Sequence, residues 1–295
     1  MKFKLTFVAL LVALLYFFVP SVSSQTLEEG EVAYRNGDFS TALDNFRALS
    51  EEGNDEAIIL LAGMYLRGEG VEKNYAMAAQ WYQLAADQGN PIAQNNLAWM
   101  YEVGRGVDRD PQEAMRLYRL SAEEGTAVAQ QNLGLMFFYG RGSNIDYSEA
   151  AKWFRLAAEQ GLAKSQEYLG NINYFGIGIQ PDYEEAAQWF LLAAEQGAVT
   201  PQYQLGVLYL NGEGVPQNEA IAAEWFHKSA EQGGERAQYN LGAMYENGWG
   251  VEQDYDKAVY WYKIAADQGV EEAQTALEEL AEEGVDTAIE VVGLK

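Results

Sequence analysis

From Asn54 to Gly269 small, apolar and aromatic residues return with a period of 36, in copies that begin at Asn54, Asn90, Thr126, Leu162, Ala198 and Gly234 without insertion or deletion. Self-similarity of this kind marks a repeat array. Early in each copy Ala, Leu, Met and Tyr tend to occupy repeat positions 4, 8, 11 and 12, as in Ala237, Leu241, Met244 and Tyr245. At 100° per residue these share one face, which predicts an amphipathic helix. Position 9 is always small, from Ala62 to Gly242. Glycine costs about 1 kcal/mol inside a helix, so its recurrence predicts close approach of a neighbouring backbone. A Gly-x-Gly loop, for example Gly248 and Gly250, supplies the positive φ that turns the chain back.

A second helix follows, started by Asn74, Asp110, Asp146, Asp182, Asn218 or Asp254 as N-cap. Glu113, Glu149 and Glu185 stand three residues after their caps, the spacing of a capping box. This helix carries alanine at position 25, an aromatic pair at 28 and 29, and small residues at 32 and 33. Trp81, Trp153, Trp189, Trp225 and Trp261 share position 28, where burying a large aromatic is worth at most about 4–6 kcal/mol. The second copy has Leu117 there and is expected to be the least well packed. A glycine such as Gly125 or Gly269 closes each copy.

The flanks read as caps. Residues 25–53 form a shorter helix pair around the turn Asn36-Gly37-Asp38, with Ala42 in register with Ala258. Residues 270–295 begin with a helix from Glu271 to about Glu283, whose Glu278, Glu279, Glu282 and Glu283 suit a solvated end face. Ile289, Val291 and Val292 in the tail are candidates to dock on it. At the other end Lys2 and Lys4 precede an apolar run, Leu5 to Val19, and the small residues before Gln25. That is the pattern of a cleavable signal segment over residues 1–24, and the run is short for a membrane span. The rival reading is an uncleaved anchor.

The formal charge of −25 would become −27 once Lys2 and Lys4 are removed. Such a surface repels nucleic acid and anionic lipid, and favours a protein segment with basic flanks. The chain has no cysteine, which excludes disulfides, thiolate metal sites and a catalytic thiol. Ser-x-x-Lys, Ser-Asp-Asn and Lys-Thr-Gly are all missing, so the serine acylation set is absent. His227, the single histidine, falls at position 30, where other copies carry mostly polar residues, and reads as a surface residue. The Gly-x-Gly loops lack the third glycine or the Gly-Lys-Ser/Thr of phosphate cradles. No cofactor, metal or catalytic residue is expected.

Variation between copies is the informative feature. Positions 3, 6, 10 and 13 of the first helix differ from copy to copy and lie opposite the face formed by 4, 8, 11 and 12. They hold Trp99 at position 10, Phe138, Tyr174, Leu210, Glu102 and Glu246 at position 13, and Tyr203 and Tyr239 at position 6. Tyr139 and Phe175 follow at position 14. Aromatic anchors among acidic groups suit an apolar peptide with basic flanks, although single members could instead pack between repeats. Trp249, between two loop glycines, is a possible further contact.

Leu205-Gly206-x-x-Tyr209, followed by Gly-x-Gly-Val and Ala-x-x-Trp-Tyr/Phe, resembles the Sel-one-like repeat family, relatives of the tetratricopeptide repeats. The resemblance covers nearly all of residues 25–295. It implies an all-α, right-handed superhelical solenoid of antiparallel helix pairs. It also implies an adaptor that binds proteins, with the first helices lining a concave surface, often in the bacterial envelope. Some secreted members staple each repeat with a cysteine pair, which this chain lacks. The expectation is therefore an exported, periplasmic, non-enzymatic scaffold. The alternatives are a cell-wall-directed enzyme or glycan binder, since a penicillin-binding activity has been suggested within the family, and a structural member of an envelope complex.

Overall fold

The computed structural model describes residues 26–293; the expected signal segment lies outside them. Helices form where the 36-residue pattern places them. The first pair is α1 (Leu27–Arg35) with α2 (Phe39–Glu51), followed by α3 (Asp55–Arg67) with α4 (Tyr75–Asp87) and α5 (Pro91–Val103) with α6 (Pro111–Glu123). Next come α7 (Ala127–Tyr139) with α8 (Tyr147–Glu159) and α9 (Ala163–Phe175) with α10 (Tyr183–Glu195). The last three pairs are α11 (Val199–Asn211) with α12 (Glu219–Glu231), α13 (Glu235–Asn247) with α14 (Tyr255–Asp267), and α15 (Glu271–Glu282) with α16 (Asp286–Val292). Among the described residues there is no strand, and no helix is long and apolar enough to cross a membrane.

The chain divides into two compact units, one ending at Leu117 and the other starting at Tyr118. In each unit consecutive helices pack against one another. In the second unit α9 touches α11 and α11 touches α13, and at its end the second helices α14 and α16 touch as well.

The packing differs from the sequence expectation in one informative way. The deeply buried ring of each copy is at position 29: Tyr82, Tyr118, Phe154, Phe190, Phe226 and Tyr262 are all within the core. The tryptophans at position 28 are half-buried and lean on the preceding pair instead: Trp225 on the core around Phe190, Trp261 on the core around Phe226. Leu117 is only 2% exposed, so the residue itself is sealed, and the division between units falls immediately after it.

Position 9 is small because of that ring and not because of a neighbouring backbone. A Cβ on Gly134 would come within 2.7 Å of the Phe154 ring, and one on Gly242 within 2.6 Å of Tyr262. Backbone approach occurs in the loop: Gly250 has φ +66°, and a side chain there would overlap the backbone of Glu219 and Ala220.

A row of buried glutamines, not foreseen from the sequence, joins helices in the second unit. At repeat position 5 Gln166 Nε2 donates to the Ala158 carbonyl at 3.1 Å, at the end of α8. Its Oε1 accepts from Gln196 Nε2 at 2.8 Å, at the end of α10. Gln130, Gln202 and Gln238 repeat the arrangement with Gln160, Gln232 and Gln268, at 2.6–2.8 Å. Each buried amide is thus paired on both sides, which avoids the 1–3 kcal/mol typical of an unsatisfied buried polar group.

The second-helix caps form, with Asp146 and Asp182 accepting from the backbone N–H of Glu149 and Glu185. The glutamates do not complete boxes; they pair with Lys152 and Arg155. A full capping box is made by Thr26 and Glu29 at the start of α1. The tail is also more ordered than expected: it forms α16, with Ala288 buried and Ile289 and Val292 against the core of the last pair, while Val291 stays exposed.

Candidate functional site

Two open, adjoining hollows lie along first helices of the second unit. One, of about 290 Å³, is bounded by Val199, Thr200, Tyr203 and Gln204 of α11 and by Glu235 and Arg236 of α13. The next, of about 430 Å³, runs from Tyr203 and Arg236 to Tyr239 and Asn240 of α13 and to Val270 and Glu272 at the start of α15. They share Tyr203, Glu235 and Arg236 and so adjoin; together they are called the trough, along α11, α13 and the start of α15.

The trough exists because positions 3, 6 and 7 face away from the core stripe. Position 6 supplies its rings. Tyr203 leans on Phe226, centroids 5.8 Å apart, and Tyr239 leans on Tyr262 at 5.6 Å. Each tyrosine is half-buried, tilted against the core ring of its own pair, and also lines the hollow. Acidic Glu235 and Glu272 flank the single guanidinium of Arg236.

The other expected contact residues fall elsewhere. Phe138 meets Tyr147, Phe154 and Tyr168 at 5.2, 6.2 and 5.4 Å. Tyr174 meets Tyr183 and Phe190 at 5.5 and 6.3 Å. Both are half-buried and turned toward the second helix of their own pair. Leu210 packs partly on the core of the next helices, so Phe138, Tyr174 and Leu210 close seams within and between pairs. The Glu246 carboxylate accepts a 2.6 Å hydrogen bond from the Tyr262 hydroxyl. Burial first, and then that carboxylate, push the Tyr262 phenol well above the usual tyrosine range.

Trp99 and Glu102 belong to the first unit. The Arg105 guanidinium lies 5.2 Å from the Trp99 ring centre, and the Glu102 carbonyl accepts from Arg109 Nε at 3.0 Å. Trp249 stands out from its loop, 44% exposed. Tyr139 and Phe175 are more exposed still, at 48% and 58%. His227 is partly exposed, with Nδ1 3.5 Å from Glu231. No group of histidines and carboxylates among the described residues is arranged to hold a metal ion.

The sequence pattern singles out Tyr203 and Tyr239, which line this hollow, but not Arg236 and Glu272, which line it with them. The available signal was position 3, already variable between copies, which these two residues share with Thr200.

The Sel1 repeat family profile matches residues 55–90, 91–126, 127–162, 163–197, 202–234 and 235–270. Among solved structures the chain is similar to a protective antigen of uropathogenic Escherichia coli displaying an SLR fold. The identity is 36% and the TM-score 0.86, over 90% of this chain and 59% of the antigen chain. It thus spans somewhat over half of that relative. It is also similar to a Sel1 repeat protein from Oxalobacter formigenes, with 32% identity and TM-score 0.70, over 82% of this chain and all of the other. No functionally curated protein matches it. Six consecutive matched copies, folded as the helix pairs described above, make this chain a member of the Sel1 repeat family.

Proposed function

We propose that this protein is an exported scaffold that holds an extended segment of a partner protein in the trough of α11, α13 and α15. Sel1 repeat proteins in general mediate protein–protein interaction, and the observation that carries the reading here is the trough itself. Tyr203 and Tyr239 lean on buried rings at copy-to-copy variable positions, in adjoining hollows along three helices. Rigid aromatics in a concave surface are typical anchors of binding energy. The flanking carboxylates and the formal charge, −27 without Lys2 and Lys4, favour a segment with an apolar centre and basic ends.

The test is a panel of immobilised ten-residue peptides differing in central side chain and flanking charge. The wild-type chain should retain basic-flanked, apolar-centred members. Tyr203→Ala with Tyr239→Ala should weaken retention at least tenfold with unchanged helical circular dichroism. Retention indifferent to both tyrosines would remove the trough as the site.

Export is the second part of the proposal, motivated by the charged, apolar and small-residue sequence of residues 1–24. Mass spectrometry of protein from the periplasm should find Gln25 as the first residue. An intact Met1 in the membrane fraction would indicate a retained anchor.

A further inference from the structure

On the second-helix side of the same unit, away from the trough, one copy lacks a ring that the other five possess. Position 12 is Tyr65, Tyr101, Phe137, Tyr209 and Tyr245, but in α9 it is Asn173. Asn173 is 2% exposed, and its Nδ2 donates back to the Leu169 carbonyl of its own helix at 3.0 Å. It therefore does not reach the space a ring would fill. Beside it lies an open pocket of about 420 Å³ between α8 and α10, lined by the apolar Ala151, Leu156 and Ile179 and the charged Lys152, Arg155 and Glu185. The corresponding pocket beside Tyr245 has about 250 Å³.

The other copies show what such a pocket accepts. In two of them an arginine at position 30 of the preceding pair attends the position-12 ring: Arg119 lies 5.6 Å from the centre of Phe137, and Arg47 Nη2 donates to the Tyr65 hydroxyl at 3.3 Å. For Asn173 the equivalent residue is Arg155, which lines the pocket and is held by Glu185 and the Trp189 ring. Its guanidinium is complementary to the negative face of an incoming ring.

We infer that this pocket receives a phenylalanine or tyrosine side chain of a partner protein, in the place that the repeat elsewhere fills from its own chain. The ring would lie against Ala151, Leu156 and Ile179, with Arg155 over it as Arg119 lies over Phe137. The pocket shares no residue with the trough of Tyr203 and Tyr239, so either assignment stands or fails alone.

The probe is the acetylated, amidated peptide Gly-Gly-Phe-Gly-Gly, titrated into the full chain by NMR beside its cyclohexylalanine analogue. Saturable shifts are expected at the amides of Asn173 and Ile179, with the phenylalanine peptide binding severalfold more tightly than the analogue. Asn173→Tyr supplies the missing ring and should weaken binding at least tenfold while keeping the wild-type melting midpoint. Arg155→Gln should abolish the preference for phenylalanine over cyclohexylalanine, which tests the idea even if the tyrosine variant folds poorly. Absence of saturable shifts in the wild type, or unchanged binding by Asn173→Tyr, would overturn the inference. So would sedimentation showing a wild-type dimer that Asn173→Tyr dissociates, because the occupant would then be a second copy.

Discussion

Phe226→Ala is expected to lower the unfolding free energy by about 3–5 kcal/mol, the range for truncating a fully buried aromatic. Phe226 has no exposed surface; it fills the space that Gly206 leaves open and supports Tyr203. Removing it deletes apolar burial and leaves a cavity between α11 and α12, which their close packing cannot wholly collapse. Repeat arrays are stabilised by units and by the interfaces between neighbours. The loss should therefore also loosen coupling across this pair, and urea unfolding should show a lower midpoint with a broader transition. Trp225→Ala is the control, since Trp225 is half-buried and leans on the preceding pair. If the tryptophan variant proved the less stable of the two, the assignment of position 29 as the structural ring would be wrong.

Alkali should destabilise the fold through its buried tyrosines. Burial raises the Tyr82 phenol, and burial together with the Glu246 hydrogen bond raises Tyr262. The folded state thus holds both protons where the unfolded chain, ionising near 10, gives them up. Because the folded-state value is the higher one, this stabilisation is complete below about pH 10 and is lost as pH rises beyond it. Each such tyrosine contributes a loss of about 1.4 kcal/mol per pH unit in that window. Comparing wild type with Tyr262→Phe by chemical unfolding isolates the contribution of this site. Near neutrality the variant should be the weaker, lacking the bond to Glu246. Between pH 10 and 11 the difference should shift in favour of the variant by about 1 kcal/mol. A difference that stays constant with pH would show that Tyr262 ionises freely in the folded protein.

Helices, turns and pairing were legible because the pattern is written six times, and each copy checks the others. Periodicity could not rank the adjacent aromatics at 28 and 29. Both project toward apolar surroundings, and only the packing of one pair on the next decides which ring is interior. The same limit affected the site. Position 13 was variable and aromatic, yet Phe138 and Tyr174 turn toward Tyr147 and Tyr183 of their own pairs, whereas Tyr203 and Tyr239 at position 6 border open space. The glutamine row was missed because a polar residue on a buried face carries no hydrophobic signal, and its partners are 30 residues away. Asn173 was a visible break in a tyrosine column, but its meaning appears only with the pocket beside it.

The paired glutamines also bear on how a gene of this kind can grow or shrink. A single-residue insertion in the loop between α9 and α10 would have to be absorbed before Gln196 could still meet Gln166. Duplication or loss of a whole 36-residue block, by contrast, regenerates the same amide contacts at the new junction. A change of length by whole modules therefore keeps the amide contacts in register, whereas a smaller insertion or deletion displaces them.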